Sequence, residues 1–151
     1  MVSAPLLVSV CIANYNGMDV IDDCIRSVQA QLGDIAVEIL VHDDASTDAS
    51  VAHIQDHYPQ AKLIISETNV GFCIANNRMA AQAQGPYLLL LNNDAALYPD
   101  ALQALLEEAN NIGKPAILTL PQYDATTGVI VDRGCLLDPF FMRGRCWRMC
   151  C

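Results

Sequence analysis

The chain has 151 residues, 17 acidic and 8 basic, with a formal net charge of −9. That size is about one domain, and the acidity argues against nucleic acid as a partner, because phosphate recognition needs clustered Lys and Arg. At 53% apolar and 17% charged residues the composition is core-forming rather than disordered. The longest aliphatic-aromatic run, Tyr87 to Leu91, is far shorter than the roughly 18 apolar residues of a membrane span.

Short apolar runs alternate with helical patterns. Leu6 to Ile12 reads as a buried strand, and Met1 to Pro5 lack the basic residues of a signal peptide. Ile21, Cys24, Ile25, Val28 and Leu32 repeat at helical spacing, and Gly33 stops that helix. Val37 to Val41 is a second strand. Ser46 or Thr47 is placed to cap a helix running to about Tyr58. Lys62 to Ser66 is a third strand, Phe72 to Gln84 a third helix, and Tyr87 to Leu91 a fourth strand. Pro99 and Asp100 open a fourth helix with Leu102, Leu105 and Leu106 on its core face. Ala116 to Leu120 and Val129 to Val131 read as further strands, with a turn near Thr127 and Gly128. This alternation predicts an α/β fold, a mostly parallel sheet flanked by helices.

Ligands of such sheets bind beyond the carboxyl ends of the strands. Each of the first four strands is followed there by a polar cluster. They are Asn14 to Gly17, Asp43 to Ser46, Glu67 with Asn69 and Gly71, and Asn92 to Asp94. Any one is explained by turn chemistry; four on one edge point to a site. Asn92 and Asp94, two apart in extended chain, would point the same way and suit a hard divalent cation, Mg²⁺ or Mn²⁺. An acidic protein binding a diphosphate needs such a cation. Asp43 or Asp44 can accept from a base N–H or ribose hydroxyls. Asn16 and Asn69 offer neutral donors, and Gly71 permits close backbone approach to a phosphate.

Three stretches now carry a resemblance: Val8-Ser-Val-Cys-Ile-Ala-Asn-Tyr-Asn16, Glu38-Ile-Leu-Val-His-Asp-Asp-Ala-Ser-Thr-Asp48, and Asn69-Val-Gly-Phe72 through Asn77 to Leu91-Asn-Asn-Asp94. In this order and spacing the chain resembles glycosyltransferase family 2, over about residues 6 to 138, and its rhamnosyltransferase-like branch. The resemblance implies the Rossmann-like GT-A fold and an inverting, metal-dependent transfer of a sugar from a nucleotide-diphosphate donor, UDP- or dTDP-linked, to a hydroxyl of a glycan or lipid-linked acceptor. It implies that Asn14, Asn16, Asp43, Asp44, Asn69, Gly71, Asn77 and Asn93 bind the donor. Asp44 would contact the base, and Asp94 with Asn92 would hold the metal. Ala13, Ala45 and Met79 depart from the family's usual Pro, Gly and small residue. Asn92 and Asn93 leave one carboxylate where many members have two, which predicts weaker metal affinity.

The family's general base lies well beyond the metal motif. Asp124, Asp132 and Asp138 fall too early for it, so the catalytic base is unassigned and is expected in a missing C-terminal half. Residues 1–141 read as an incomplete nucleotide-sugar-binding domain. Residues 142–151 read as a foreign tail holding Arg143, Arg145, Arg148, Trp147, Cys146, Cys150 and Cys151. Without its three arginines, five basic residues face 17 acidic ones, a charge of −12. A missing half also predicts exposed apolar surface and self-association. Scattered cysteines suggest the cytoplasm, and the basic tail leaves peripheral attachment at the inner membrane face open.

Two alternatives stand beside this reading: a non-catalytic nucleotide- or metal-binding module, and a receiver-like signalling domain. The latter needs an Asp after the third strand, where Glu67 stands. Zinc binding by the tail cysteines lacks a standard spacing. His53 and His57 read as an exposed helix face, His42 as a satisfied core or edge histidine, and Arg78 as a surface ion pair or a phosphate ligand.

Overall fold

The computed structural model describes residues 8–33 and 35–132. Four parallel strands, β1 (Val8–Asn14), β2 (Val37–Asp43), β3 (Lys62–Ile65) and β4 (Tyr87–Asn92), lie in the order β3-β2-β1-β4. Helices α1 (Ile21–Gln29), α2 (Ser50–His57) and α3 (Phe72–Ala80) join them, and α4 (Ala101–Ile112) follows β4. The expected α/β fold with a parallel sheet is present.

The order dictates where the helices go. Parallel crossovers are right-handed, so the steps from β1 to β2 to β3 put α1 and α2 on one face. The return from β3 to β4 puts α3 on the other. Strand side chains alternate accordingly. Val10, Ile12, Ile39 and Val41 are buried on the first side, where α1 supplies Ile21, Ile25 and Val28 and α2 supplies Ile54. On the second side Cys11 and Leu40 pack with Met79 of α3, flanked by Ala13 and Ile64. Met79 is fully buried, and that burial contributes about 2 kcal/mol. Cys11 shares this core, and burial, reinforced by Glu38, pushes its thiol up to about 11.

The chain divides into one compact unit through Gln103 and a second from Ala104. The first holds the sheet. The second contains most of α4 and a hairpin of β5 (Gln122–Tyr123) and β6 (Ile130–Asp132). The hairpin turn is built by Asp124, whose Oδ1 accepts the N–H groups of Thr126 and Thr127 at 3.1 and 2.7 Å. Gly128 follows at φ +68°.

Several boundaries differ from expectation. Residues 116–120 form no strand, because they find no ladder partner among the described residues, and Ile117 is 83% exposed. The first helix stops at Gln29, and Leu32 is exposed rather than core, its N–H held by Pro99 O at 2.8 Å. Neither Ser46 nor Thr47 caps α2, which starts at Ser50 after Ala49. Asp43 draws Ser46 away, and Asp48 Oδ1 instead accepts the Ser50 N–H at 3.0 Å. The tail from 142 onward and Asp138 lie outside the described residues. Among the described residues no helix is long and apolar enough to cross a membrane.

Candidate functional site

The site begins with Asn14, the last residue of the central strand β1. A polar side chain at 1% exposure must find partners. Its Nδ2 donates to Asp43 Oδ1 at 2.9 Å and to Ser50 Oγ at 3.0 Å. Its Oδ1 accepts from Asn93 Nδ2 at 3.1 Å. Asp43 only accepts, which fixes the orientation of the Asn14 amide. Asp43 is equally buried and also takes the N–H of Ser46 at 2.9 Å and its hydroxyl at 2.5 Å. Asn14 therefore joins the ends of β1, β2 and β4 and the start of α2.

Above this network sits the loop after β1. Asn16, at φ +49°, accepts the Thr47 N–H through Oδ1 at 2.8 Å, and its own N–H donates to Ser46 Oγ at 2.9 Å. Met18 N–H donates to Asp48 Oδ2 at 3.0 Å. Hydrogen bonds from Ser50 and Met18 hold the Asp48 carboxyl below its ordinary value against the opposing effect of burial. The loops after β1 and β2 are thus laced together, with Tyr15 exposed beside them.

Asp44 follows, with Asp44 N–H on Asn14 O at 2.9 Å. Its carboxylate accepts Val70 N–H at 2.7 Å and Gly71 N–H at 2.8 Å. Asn69 and Asn77 are exposed, and Gly71 opens α3 at φ +83°.

At the end of β4 the chain turns. Ala95 N–H bonds Asn92 O at 3.2 Å, so extended geometry stops at Asn92. The alternation expected to align Asn92 with Asp94 does not run through this turn. Asn93 points to Asn14, while Asn92 and Asp94 are exposed. From beneath, the Cys24 thiol donates to Asn92 O at 3.4 Å. Burial first, then the charge of Asp94, pushes that thiol up to about 12. Ser27, further along α1, and Gln31, just past its end, hold Leu97, Tyr98 and Leu102 by their backbone groups. Among the described residues no three His, Cys, Asp or Glu side chains gather as a metal cage.

The other flagged residues are placed as follows. His53 is mostly covered rather than exposed: its Nε2 lies 2.6 Å from Asp22 Oδ1, which also accepts the Tyr58 hydroxyl at 2.6 Å. His57 stacks on it. His42 is fully buried and only half satisfied, with Nδ1 unpartnered and Nε2 3.3 Å from Arg78 Nη1. Burial leads in lowering its pKa. Arg78 also reaches Ser66 Oγ at 3.2 Å instead of forming a surface ion pair. Local sequence assigns no part in the network to Ser50, and it places Ser46 and Gly17 in the strand-end clusters without naming their distant partners. The two serines meet partners 30 or more positions away, and Gly17 takes part only by close approach in space.

The comparisons with known proteins agree with this architecture. The family model described as glycosyl transferase family 2 matches residues 9–145. The chain is 37% identical over 109 residues to the succinoglycan biosynthesis protein ExoO of Rhizobium meliloti, covering 70% of this chain and 30% of that protein. It is 33% identical over 104 residues to TuaG of Bacillus subtilis, a putative teichuronic acid biosynthesis glycosyltransferase, covering 67% and 41%. A crystal structure of S. aureus TarS in complex with UDP shares the fold at TM-score 0.64 and 24% identity, over 70% of this chain and 32% of that one. The chain belongs to glycosyltransferase family 2 and has its GT-A fold, which sets the receiver-like alternative aside. It spans well under half the length of these curated relatives.

Proposed function

We propose that the chain supplies the donor half of an inverting, metal-dependent glycosyltransferase that moves a sugar from a nucleoside diphosphate to a hydroxyl of a growing glycan. The observation that carries this reading is the joining of three strand-end loops through Asn14. It supports a nucleoside-type acceptor at Asp44, with Asp43 beneath it, and the exposed carboxylate of Asp94 on the same edge of the sheet.

In this reading Asn14 and Asp43, each 1% exposed and bonded to one another, work from below. Asp44, Asn16, Asn69, Gly71 and Asn77 face the nucleotide. Asp44 would accept the N3–H of uracil or thymine, which makes UDP and dTDP the candidate carriers. Asp94 fits a hard cation of the Mg²⁺ or Mn²⁺ type, because it is an exposed carboxylate and protein ligands need fill only one or two positions. Asn92 stands beside it. A cation held by Asp94 would supply Lewis-acid stabilisation to the departing diphosphate. The acceptor oxygen bonds to the anomeric carbon as the bond to the diphosphate breaks, and a base takes the acceptor proton. No residue of this chain is assigned as that base. Asp124 is committed to its own turn.

The polysaccharide names of the relatives support a glycan as acceptor, and we place the transfer in the cytoplasm, on a free or lipid-linked glycan at the inner membrane face. The test is a thermal shift with UDP, dTDP and GDP, with and without Mn²⁺, on the wild type and Asp94→Ala. Ligand binding must raise the midpoint. We expect a Mn²⁺-dependent rise lost in Asp94→Ala. No metal-dependent rise, or one unchanged in the variant, overturns the reading.

A further inference from the structure

We infer that Asn14, Asn93 and Gly17 form a latch that transmits position between the nucleoside end of the site and the Asp94 turn, with Asn93 and Gly17 as positioning residues. The inference rests on the proposed donor site and adds to it a cause for the placement of Asp94.

Asp94 itself stands on a two-residue turn, exposed, at the edge strand of the sheet. A carboxylate on such a turn holds one geometry only if something anchors the turn. Asn93 provides that anchor. Its Nδ2 reaches across to Asn14 Oδ1 at 3.1 Å, a contact between residues 79 apart in sequence. The other side of the same Asn14 amide holds Asp43 and Ser50. The amide is therefore a rigid bridge, one edge on the β2 loop and α2, the other on the metal turn.

Gly17 shows how closely this bridge is enclosed. The residue is buried, and a Cβ built on it would lie 2.2 Å from Asn14 Oδ1 and 2.4 Å from Asn93 Nδ2. These are the two atoms of the hydrogen bond. The backbone of Gly17 thus lies over the Asn14–Asn93 bond, and no other residue type fits there without parting it. Gly17 has no positive φ among the strained backbone positions. Its requirement for glycine is one of space, tied to this bond. The same residue receives the first turn of α1, since Val20 and Ile21 N–H both bond Gly17 O at 3.0 and 2.9 Å.

This geometry separates two kinds of damage. Losing Asn14 removes support from Asp43 and the metal turn together. Losing the Asn93 side chain frees only the metal turn, whereas a methyl group at Gly17 presses on Asn14 Oδ1 as well as on Asn93 Nδ2 and disturbs both sides. Nucleoside binding, which depends on Asp44 and the loops after β1 and β2, should survive the second kind. The gain in diphosphate affinity that Mn²⁺ brings should not.

The experiment uses the full chain and whichever of UDP, dTDP or GDP shows the largest Mn²⁺-dependent stabilisation. Titration calorimetry measures its affinity with and without Mn²⁺, and that of the matching nucleoside, on wild type, Asn93→Ala, Gly17→Ala and the double variant. We expect Asn93→Ala to keep the nucleoside affinity and to lose about fivefold to tenfold of the Mn²⁺-dependent gain, the scale of one buried hydrogen bond, and Gly17→Ala, which also presses on Asn14, to lose at least as much of that gain. The double variant should lose no more of the gain than Gly17→Ala alone, because both substitutions cut the same bond. Asn93→Ala adds no atoms, so it remains informative if Gly17→Ala does not fold. A wild-type gain retained in Asn93→Ala overturns the latch alone. So does a nucleoside affinity that falls in step with the diphosphate's in that variant. A wild type with no Mn²⁺-dependent gain overturns the donor-site reading and the latch with it.

Discussion

Asp44 Oδ2 accepts the backbone N–H of Gly71 at 2.8 Å, joining the end of β2 to the residue that opens α3. Its other oxygen takes the neighbouring Val70 N–H at 2.7 Å. One carboxylate at 6% exposure thus satisfies two donors of a loop that would otherwise be free to move.

Asp44→Ala should therefore lower stability by about 3 kcal/mol, from the loss of two charge-assisted hydrogen bonds and the exposure of their donors. Urea unfolding measures the loss, and hydrogen exchange at Val70 and Gly71 should speed up while β1 stays protected. Asp44→Asn, which keeps an acceptor, should fall in between. A variant as stable as the wild type would show that solvent replaces the carboxylate.

Ala45 supplies the second prediction. It stands at φ +64°, the left-handed region that a Cβ disfavours. The turn is imposed by its neighbours, since Asp44 is tied to the 70–71 loop and Ser46 to Asp43. Ala45→Gly should raise stability by about 1 kcal/mol. The urea midpoint should move up with the slope unchanged.

The fold is legible in the sequence because its pattern is local. Apolar runs of strand length, separated by helical repeats, are enough to announce a parallel sheet. The strand ends are less legible, because Asn14, His42 and Asp43 are polar and look like loop. They remain in the ladder because long-range partners satisfy them or, for His42, half satisfy them. Ser46 looks like a helix cap for the same reason in reverse: its nearest acceptor in space, Asp43, outcompetes the helix. The site's residue types can be read from the four polar clusters. The link between Asn14 and Asn93 cannot, since nothing in either neighbourhood signals the other. Residues 116–120 show the limit of apolar pattern alone, because a strand needs a partner as well as a sequence.

The third prediction concerns pH. Burial leads in lowering the His42 pKa from 6.5, so the folded chain binds fewer protons there than the unfolded chain. Its stability is complete above 6.5 and declines as pH falls through the lowered value. Asp22 acts further down. The Tyr58 hydroxyl, then His53, lowers its pKa from 3.8, and that stability is lost only as pH falls below 3.8. Stability measured against pH should show two separate declines. His42→Leu should flatten the upper one and leave the lower, and Asp22→Asn should leave the upper one and reduce the lower, which Asp48 and Glu38 share. A His42→Leu profile that matches the wild type as pH falls below 6.5 would remove His42 as its cause.

The last prediction concerns the edge strand β4. Among the described residues it pairs with β1 alone, so its outer row of N–H and C=O groups has no ladder partner. Leu88 and Leu90 share one face of it and are 51% and 52% exposed, although Ser9 and Cys11, their register partners on β1, are fully buried. The opposite edge, β3, begins with Lys62, a charge of the kind that discourages strand pairing. β4 reads Tyr-Leu-Leu-Leu-Leu-Asn, with no charge, Pro or bulge to protect it. Such an edge associates with others like it. Sedimentation of the purified chain should show association that grows with concentration. Leu90→Lys should suppress it without lowering the unfolding midpoint, since the side chain is half in water already. A wild type that stays monomeric across the accessible concentrations would mean that the edge is covered.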